Sequence, residues 1–462
     1  MASNALRSLS RAALPARAVP SIPALAASFS TSAASSAAAA SGRKAAKAPI
    51  KKNFKKGKVI TKVKKPEPGE RKAFRKRIVL SNNNALAVVG PTTVQADTLV
   101  DEANAGQMVA LAPDVIDRLR SLEAFKPTQA WGLFRSPHVL LRKEAVHVLK
   151  RVHKAGAEKS IMRALVAGDK VSGKSVFLLE ALAYGLTNKW VVIHIPEAME
   201  LTNAHTEYSP VPNTADPIQF YQPMYCLALL QRILAANDAV LRDILLSTSY
   251  AHLAPNLAHL TPGTSTLHDM VASCKESEFA WPTLSALWTE LTAVPNRPPT
   301  LLTADGVAHM MRPSAYRDPA FNIVHAHDLS LVRLFVSALA GTTPMVNGGA
   351  VLAALNASGR MLIPSLDLKL AQGRAALRGE PVPRPNPWER GYDQRVDDVL
   401  KNVEVLEVSK LDKPETAVLM EYWAASGMLR EKVTEAAVSE KWTLGAGILG
   451  EIEKMALRNL RM

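Results

Sequence analysis

Residues 161 to 185 place a short apolar run, a glycine-bounded loop and a second apolar run in direct succession, and few folds accommodate that order. The first run, Ile161-Met162-Arg163-Ala164-Leu165-Val166-Ala167, has the length and composition of a buried strand. The loop Gly168-Asp169-Lys170-Val171-Ser172-Gly173-Lys174-Ser175 has the pattern G-x-x-x-x-G-K-S. Val176 then opens a run to Tyr184 that reads as a helix closed by Gly185. A strand feeding such a loop into a helix aims backbone N–H groups and the positive end of the helix dipole at one point, which suits a phosphate. Residues 168–176 are therefore expected to bind the phosphates of a nucleotide. Lys174 would reach the β- and γ-phosphates, and the Ser175 hydroxyl would ligate Mg²⁺.

Downstream, apolar runs and helical patterns alternate. Trp190 to Ile195 reads as a second strand ending at Pro196, with His194 a core or edge histidine rather than a catalyst. Residues 203–223 read as a long loop, and helical spacing returns at Met224–Leu246 and near Leu284–Leu291. Thr300-Leu301-Leu302-Thr303-Ala304-Asp305 reads as a strand that delivers a carboxylate at its end, the place from which Asp305 would hold Mg²⁺ with Ser175. Gly306 follows where hydrolytic nucleotide-binding proteins of the additional-strand class place a glutamate, so fast hydrolysis is not expected and no catalytic residue is assigned. Asp328 is expected to cap a helix over Leu329–Leu339. His325 and His327 beside it make a poor metal site. A strand from Gly349 to Leu355 ends at Asn356, a candidate sensor near the γ-phosphate. The alternation predicts an α/β domain with a doubly wound parallel sheet, of P-loop NTPase type (AAA- or STAND-like), with a helical C-terminal extension.

Charge divides the chain. Net charge is +15, yet residues 1–77 hold 19 of the 56 Lys and Arg and only Glu67 and Glu70, leaving 37 basic and 39 acidic residues in the remainder. Residues 1–42 carry Arg7, Arg11 and Arg17, no acid, and many Ala and Ser, the composition of a mitochondrial transit peptide. Residues 43–95 read as a disordered basic arm whose Lys51, Lys52, Lys55, Lys56, Lys64, Lys65, Arg75, Lys76 and Arg77 would neutralise RNA phosphates. The rest divides into a helical lead-in (96–160), a nucleotide-binding domain (161–370), a Pro- and Arg-rich loop (371–400), and a last strand with C-terminal helices (401–462). Cys226 and Cys274, with no C-x-x-C pair, exclude a Cys-rich zinc module and a disulfide scaffold. No run of eighteen apolar residues occurs, so no membrane span is expected.

Read together, Arg163 to Lys170 leading into Gly173-Lys174-Ser175, Trp190 to Pro196, Ala304-Asp305-Gly306, Asn347 to Leu355, and Val405 through Glu421-Tyr422-Trp423 to Gly427 resemble the GTP-binding protein family of the mitochondrial small ribosomal subunit, the death-associated protein 3 family, in its fungal form. The resemblance spans about residues 100–462. It implies GTP or GDP with Mg²⁺, a place in the matrix within the head of the small mitoribosomal subunit, and small-subunit rRNA and ribosomal proteins as partners. It implies neither a membrane span nor an independent homo-oligomer. Under it the nucleotide is a largely unhydrolysed structural ligand supporting mitochondrial translation; guanine preference rests on the resemblance alone, for no N-K-x-D is present. One departure is Val171, where relatives usually carry glycine. A β-branched residue resists positive φ, so Val171 is expected in an ordinary conformation. Two other readings fit the same residues: an active mitochondrial NTPase switch, and an AAA-like nucleoid protein.

Overall fold

The computed structural model describes residues 78–458 apart from 213, 215, 216 and 357–361; the expected transit segment and the arm cations from Lys51 to Arg77 lie outside the described residues. Five strands form one parallel sheet: β1 (Ile161–Gly168), β2 (Val191–Ile195), β3 (Thr300–Asp305), β4 (Gly349–Ala354) and β5 (Glu404–Val408), in the order β5-β1-β4-β3-β2. β4 lies between β1 and β3, with Ala354 beside Val166 on one side and Asp305 on the other. The C-terminal ends of all five strands therefore share one edge of the sheet, where open parallel sheets bind ligands.

Strand periodicity divides the core. Leu165, Ile193, Leu302 and Val351 face one side, and Ala164, Val166, Val192, Leu301 and Leu352 face the other. Both sides are apolar because both carry helices. α1 (Pro113–Ser121), α2 (Lys143–Ala157) and α3 (Lys174–Thr187) cover the second side. α4 (Pro223–Arg242), α5 (Leu267–Ser273), α6 (Ala280–Thr292), α7 (Ser330–Ala340), α8 (Pro364–Arg378) and α9 (Gln394–Leu400) cover the first. α3 is buried nearly all round, as a helix apolar on every face must be. α10 (Lys413–Ala425), α11 (Glu435–Leu444) and α12 (Leu449–Glu453) build a third cluster that includes Phe134 and Leu140 of the lead-in. α10 opens on a reciprocal capping box between Asp412 and Glu415.

β2 is an edge strand, and α4 closes that edge. Asn237, fully buried at a kink in α4, accepts from the Val192 N–H at 2.8 Å and donates to the Val192 carbonyl at 2.9 Å and the Ile233 carbonyl at 2.8 Å. α4 is also, among the described residues, the helix long and apolar enough to cross a membrane, but half of it is buried against β2, α5 and α6. Asn237→Ala would strand both polar groups of Val192 in the core and cost roughly 2–4 kcal/mol, read as a lower urea midpoint with an unchanged slope.

Several local expectations need correction. The lead-in is not wholly helical: Met108–Ala110 and His138–Leu140 pair as a small sheet, joined by Thr92–Thr93 of the expected disordered arm, whose described part buries Leu80 and Val94. Half of the expected loop 371–400 is helix, with α8 and α9 flanking an irregular stretch at 379–393. Asp328 does not cap α7, which starts at Ser330 after Leu329; its carboxylate lies 3.6 Å from Arg395 instead.

Candidate functional site

The glycine-bounded loop stands where β1 passes into α3. Gly168 ends β1, and Gly173 sits at the α3 N-cap with φ 105°. No side chain caps α3, so the N–H groups of its first turn are left for another acceptor. Lys174 is buried, and its ammonium donates to the carbonyls of Gly168 (3.0 Å) and Asp169. Burial pulls its pKa below the ordinary lysine value, against the favourable charges of Asp305 and Asp169. The Ser172 hydroxyl is also buried and has no partner. A desolvated cation, an unpartnered hydroxyl and free helix-end donors make this loop a concave anion receptor. Asp169 and Lys170 lie at its rim, and Val176 begins the buried side.

The sheet brings the predicted metal pair together. Ser175 Oγ donates to Asp305 Oδ2 at 2.7 Å, although one belongs to the start of α3 and the other to the end of β3. Gly306 follows with φ 80° and ψ 34°, a left-handed conformation that a glutamate would adopt only under strain. Asn356 follows β4 on the same edge; a side chain at Gly306 would lie 3.9 Å from the Asn356 Cβ. The predicted sensor is thus beside the carboxylate strand and exposed. His194, as expected, is a core histidine: it is buried, its Nδ1 lies 2.7 Å from Thr303 Oγ1, and burial holds its pKa well below the usual value.

Val171 contradicts its expectation. Its φ is +54°, the left-handed conformation that a β-branched residue resists. The reason lies outside the loop. The Val171 carbonyl accepts from the Gly450 N–H of α12 at 3.0 Å, and a Cβ at Gly450 would come within 2.7 Å of the Val171 Cβ. Only glycine allows α12 so close, and that contact holds the strained residue.

Three further groups carry no local sequence signal. Arg142, buried at the start of α2, donates to the Ser409 carbonyl at 2.9 Å and reaches the Ser172 carbonyl at 3.5 Å, tying the loop to the end of β5. Glu180 lies wholly buried in the second turn of α3, and burial pushes its pKa up to about 8, opposed by Arg142. Both line a cavity of about 140 Å³ beside the loop, walled by Trp131 and Phe134 of the lead-in, Val176 and Phe177 of α3, and Tyr422 and Leu449 of the C-terminal helices. The third is Lys126, whose ammonium lies 3.2 Å from Asp305 Oδ2 and donates to the Pro196 carbonyl.

Against this geometry, residues 139–455 match the family model described as mitochondrial ribosomal death-associated protein 3. The small ribosomal subunit protein mS29 of Neurospora crassa is 47% identical over 427 residues, covering 91% of this chain and 90% of that protein. The protein of the same name from Schizosaccharomyces pombe is 24% identical over 359 residues, covering 76% of this chain and 71% of its own length. The matched region contains the loop, the Asp305 strand and the α12 contact. This chain belongs to the mitochondrial ribosomal death-associated protein 3 family.

Proposed function

We propose that this protein, a structural component of the mitochondrial small ribosomal subunit in the matrix, holds a guanine nucleotide as a fixed part of its fold. The observation that carries the nucleotide is the convergence of Lys174, the uncapped α3 N-terminus, and the Ser175–Asp305 pair at one sheet edge. A strand between the loop strand and the carboxylate strand is the arrangement of the additional-strand P-loop class, and supports that reading of the fold. Phosphates rest on residues 168–176, offsetting the buried Lys174 charge. The base enters the neighbouring cavity between Trp131, Val176 and Tyr422. Glu180 would favour guanine over adenine only where it is ionised, as pH rises past about 8, because guanine then presents adjacent N–H donors to the carboxylate whereas adenine sets an acceptor against it. A divalent metal would supply charge to the phosphates from between Ser175 and Asp305; that donor set suits Mg²⁺ only if the Lys126 ammonium moves off Asp305.

With glycine at 306 the residue after Asp305 carries no carboxylate to orient a water, and the nucleotide serves as a ligand rather than a substrate. The basic arm adds phosphate contacts to rRNA. The test is to release and identify the nucleotide from salt-washed small subunits, and to compare thermal shifts of the purified chain with GDP, GTP and ADP. Guanine nucleotide recovered near one per subunit, with a larger shift for GDP than ADP, is expected. Subunits free of nucleotide would overturn the reading.

A further inference from the structure

The position beside Asp305 already contains a cation, and it is built in. Lys126 sits in the lead-in between Phe125 and Pro127, and a residue before proline is held extended. Its backbone N–H donates to Gln129 Oε1 at 2.8 Å, and that same oxygen accepts from Trp131 Nε1 at 2.6 Å. Trp131 packs edge-on against Phe125, ring centroids 5.3 Å apart. The ammonium at the end of this brace bridges the Pro196 carbonyl after β2 and Asp305 Oδ2 at the end of β3. The Asp305 side chain is only 10% exposed and that of Lys126 20%, so the pair is far less screened than a surface bridge. The same oxygen accepts from Ser175. The ammonium, the hydroxyl and the carboxylate are thus collected where a divalent ion would collect two of them.

We propose that Lys126 takes the place of the divalent metal at Asp305, so that the nucleotide is held without obligatory Mg²⁺. The inference rests on the nucleotide reading above. Lys174 is present in either case, so at Asp305 Lys126 brings one positive charge where Mg²⁺ would bring two. A dication entering at Asp305 would have to displace an ammonium fixed by its backbone brace and by the Pro196 carbonyl. A protein whose nucleotide is structural gains from this arrangement, because loss of metal no longer releases the ligand.

The test uses the full chain and a fluorescent GDP analogue, titrated in Mg²⁺ and in EDTA. Wild type is expected to change affinity by less than about twofold between the two buffers. Lys126→Met, which keeps the apolar stem, is expected to lose about tenfold in EDTA and to regain it with Mg²⁺. A wild type that loses tenfold in EDTA, or a variant that loses equally in both buffers, would overturn the proposal. Should Lys126→Met not fold, Lys126→Arg keeps the charge and must stay insensitive to EDTA, and sensitivity would count against the idea. A second arm omits the nucleotide: Mn²⁺ alone, followed by electron paramagnetic resonance, should bind Lys126→Met about tenfold more tightly than wild type. It should lose that gain in Lys126→Met/Asp305→Asn. Equal Mn²⁺ binding by wild type and Lys126→Met would sink the proposal by itself. If the Mn²⁺ pattern holds while no chain binds the analogue in either buffer, the nucleotide reading falls and the cation assignment at Asp305 stands.

Discussion

Lys174→Ala should abolish the thermal shift produced by GDP while leaving the ligand-free melting temperature equal to or above that of wild type. The two halves of that result have separate causes. In the ligand-free fold the Lys174 ammonium is desolvated, and the carbonyls of its own loop with the charges of Asp305 and Asp169 compensate that cost only in part, so its removal relieves a buried charge. A nucleotide bound only by the folded state adds RT ln(1 + [L]/Kd), roughly 4 kcal/mol at a thousandfold excess over Kd. The variant forfeits that increment because the charge that meets the phosphates is gone. Differential scanning fluorimetry with and without GDP reads both quantities, and gradient sedimentation reads entry into the small subunit. A wild type indifferent to nucleotide, or a variant that enters the subunit as well as wild type, would refute the structural-ligand reading.

The second large effect belongs to Glu180. Burial raises its folded-state pKa from the ordinary 4.5 to about 8. The unfolded chain therefore releases this proton near pH 4.5, while the folded chain keeps it. Stability contributed by the group is fully present below pH 4.5 and is lost as pH rises toward about 8. Glu180→Gln keeps the shape and removes the titration. At pH 5 the two proteins should unfold within about 1 kcal/mol of one another, and at pH 8 the variant should be the more stable by roughly 4 kcal/mol. Urea unfolding across that range checks the sign. Guanine binding should run the other way: wild type gains affinity as the carboxylate ionises, and the variant binds weakly at every pH. A wild type whose stability is flat between pH 5 and 8 would show that Glu180 is solvated.

Much of the site was readable because its parts are local. The loop 168–175 and the run ending at Asp305 each announce themselves within a few residues. The pairing of Ser175 with Asp305 follows once β3 and β1 belong to one parallel sheet, although the strand order itself leaves no mark on the chain. Lys126 and Arg142 had no such signal, since each acts on a segment far away in sequence. Val171 went wrong for the same reason: local sterics argue for negative φ, but a hydrogen bond from Gly450 outweighs them. The strands at 92–93, 108–110 and 138–140 are too short to display alternation. The helix at 364–378 was hidden by Gly373 and by the arginines that gave its neighbourhood the look of a loop.

The contact between Val171 and Gly450 has a consequence for the order in which the molecule is made. The loop at 168–175 is translated well before α12, yet the left-handed conformation of Val171 is held by a hydrogen bond that α12 supplies. A ligand that depends on that shape would be captured only after the segment at 449–453 has packed. On the nucleotide reading proposed above, an occupied loop would report that α12 has folded against it.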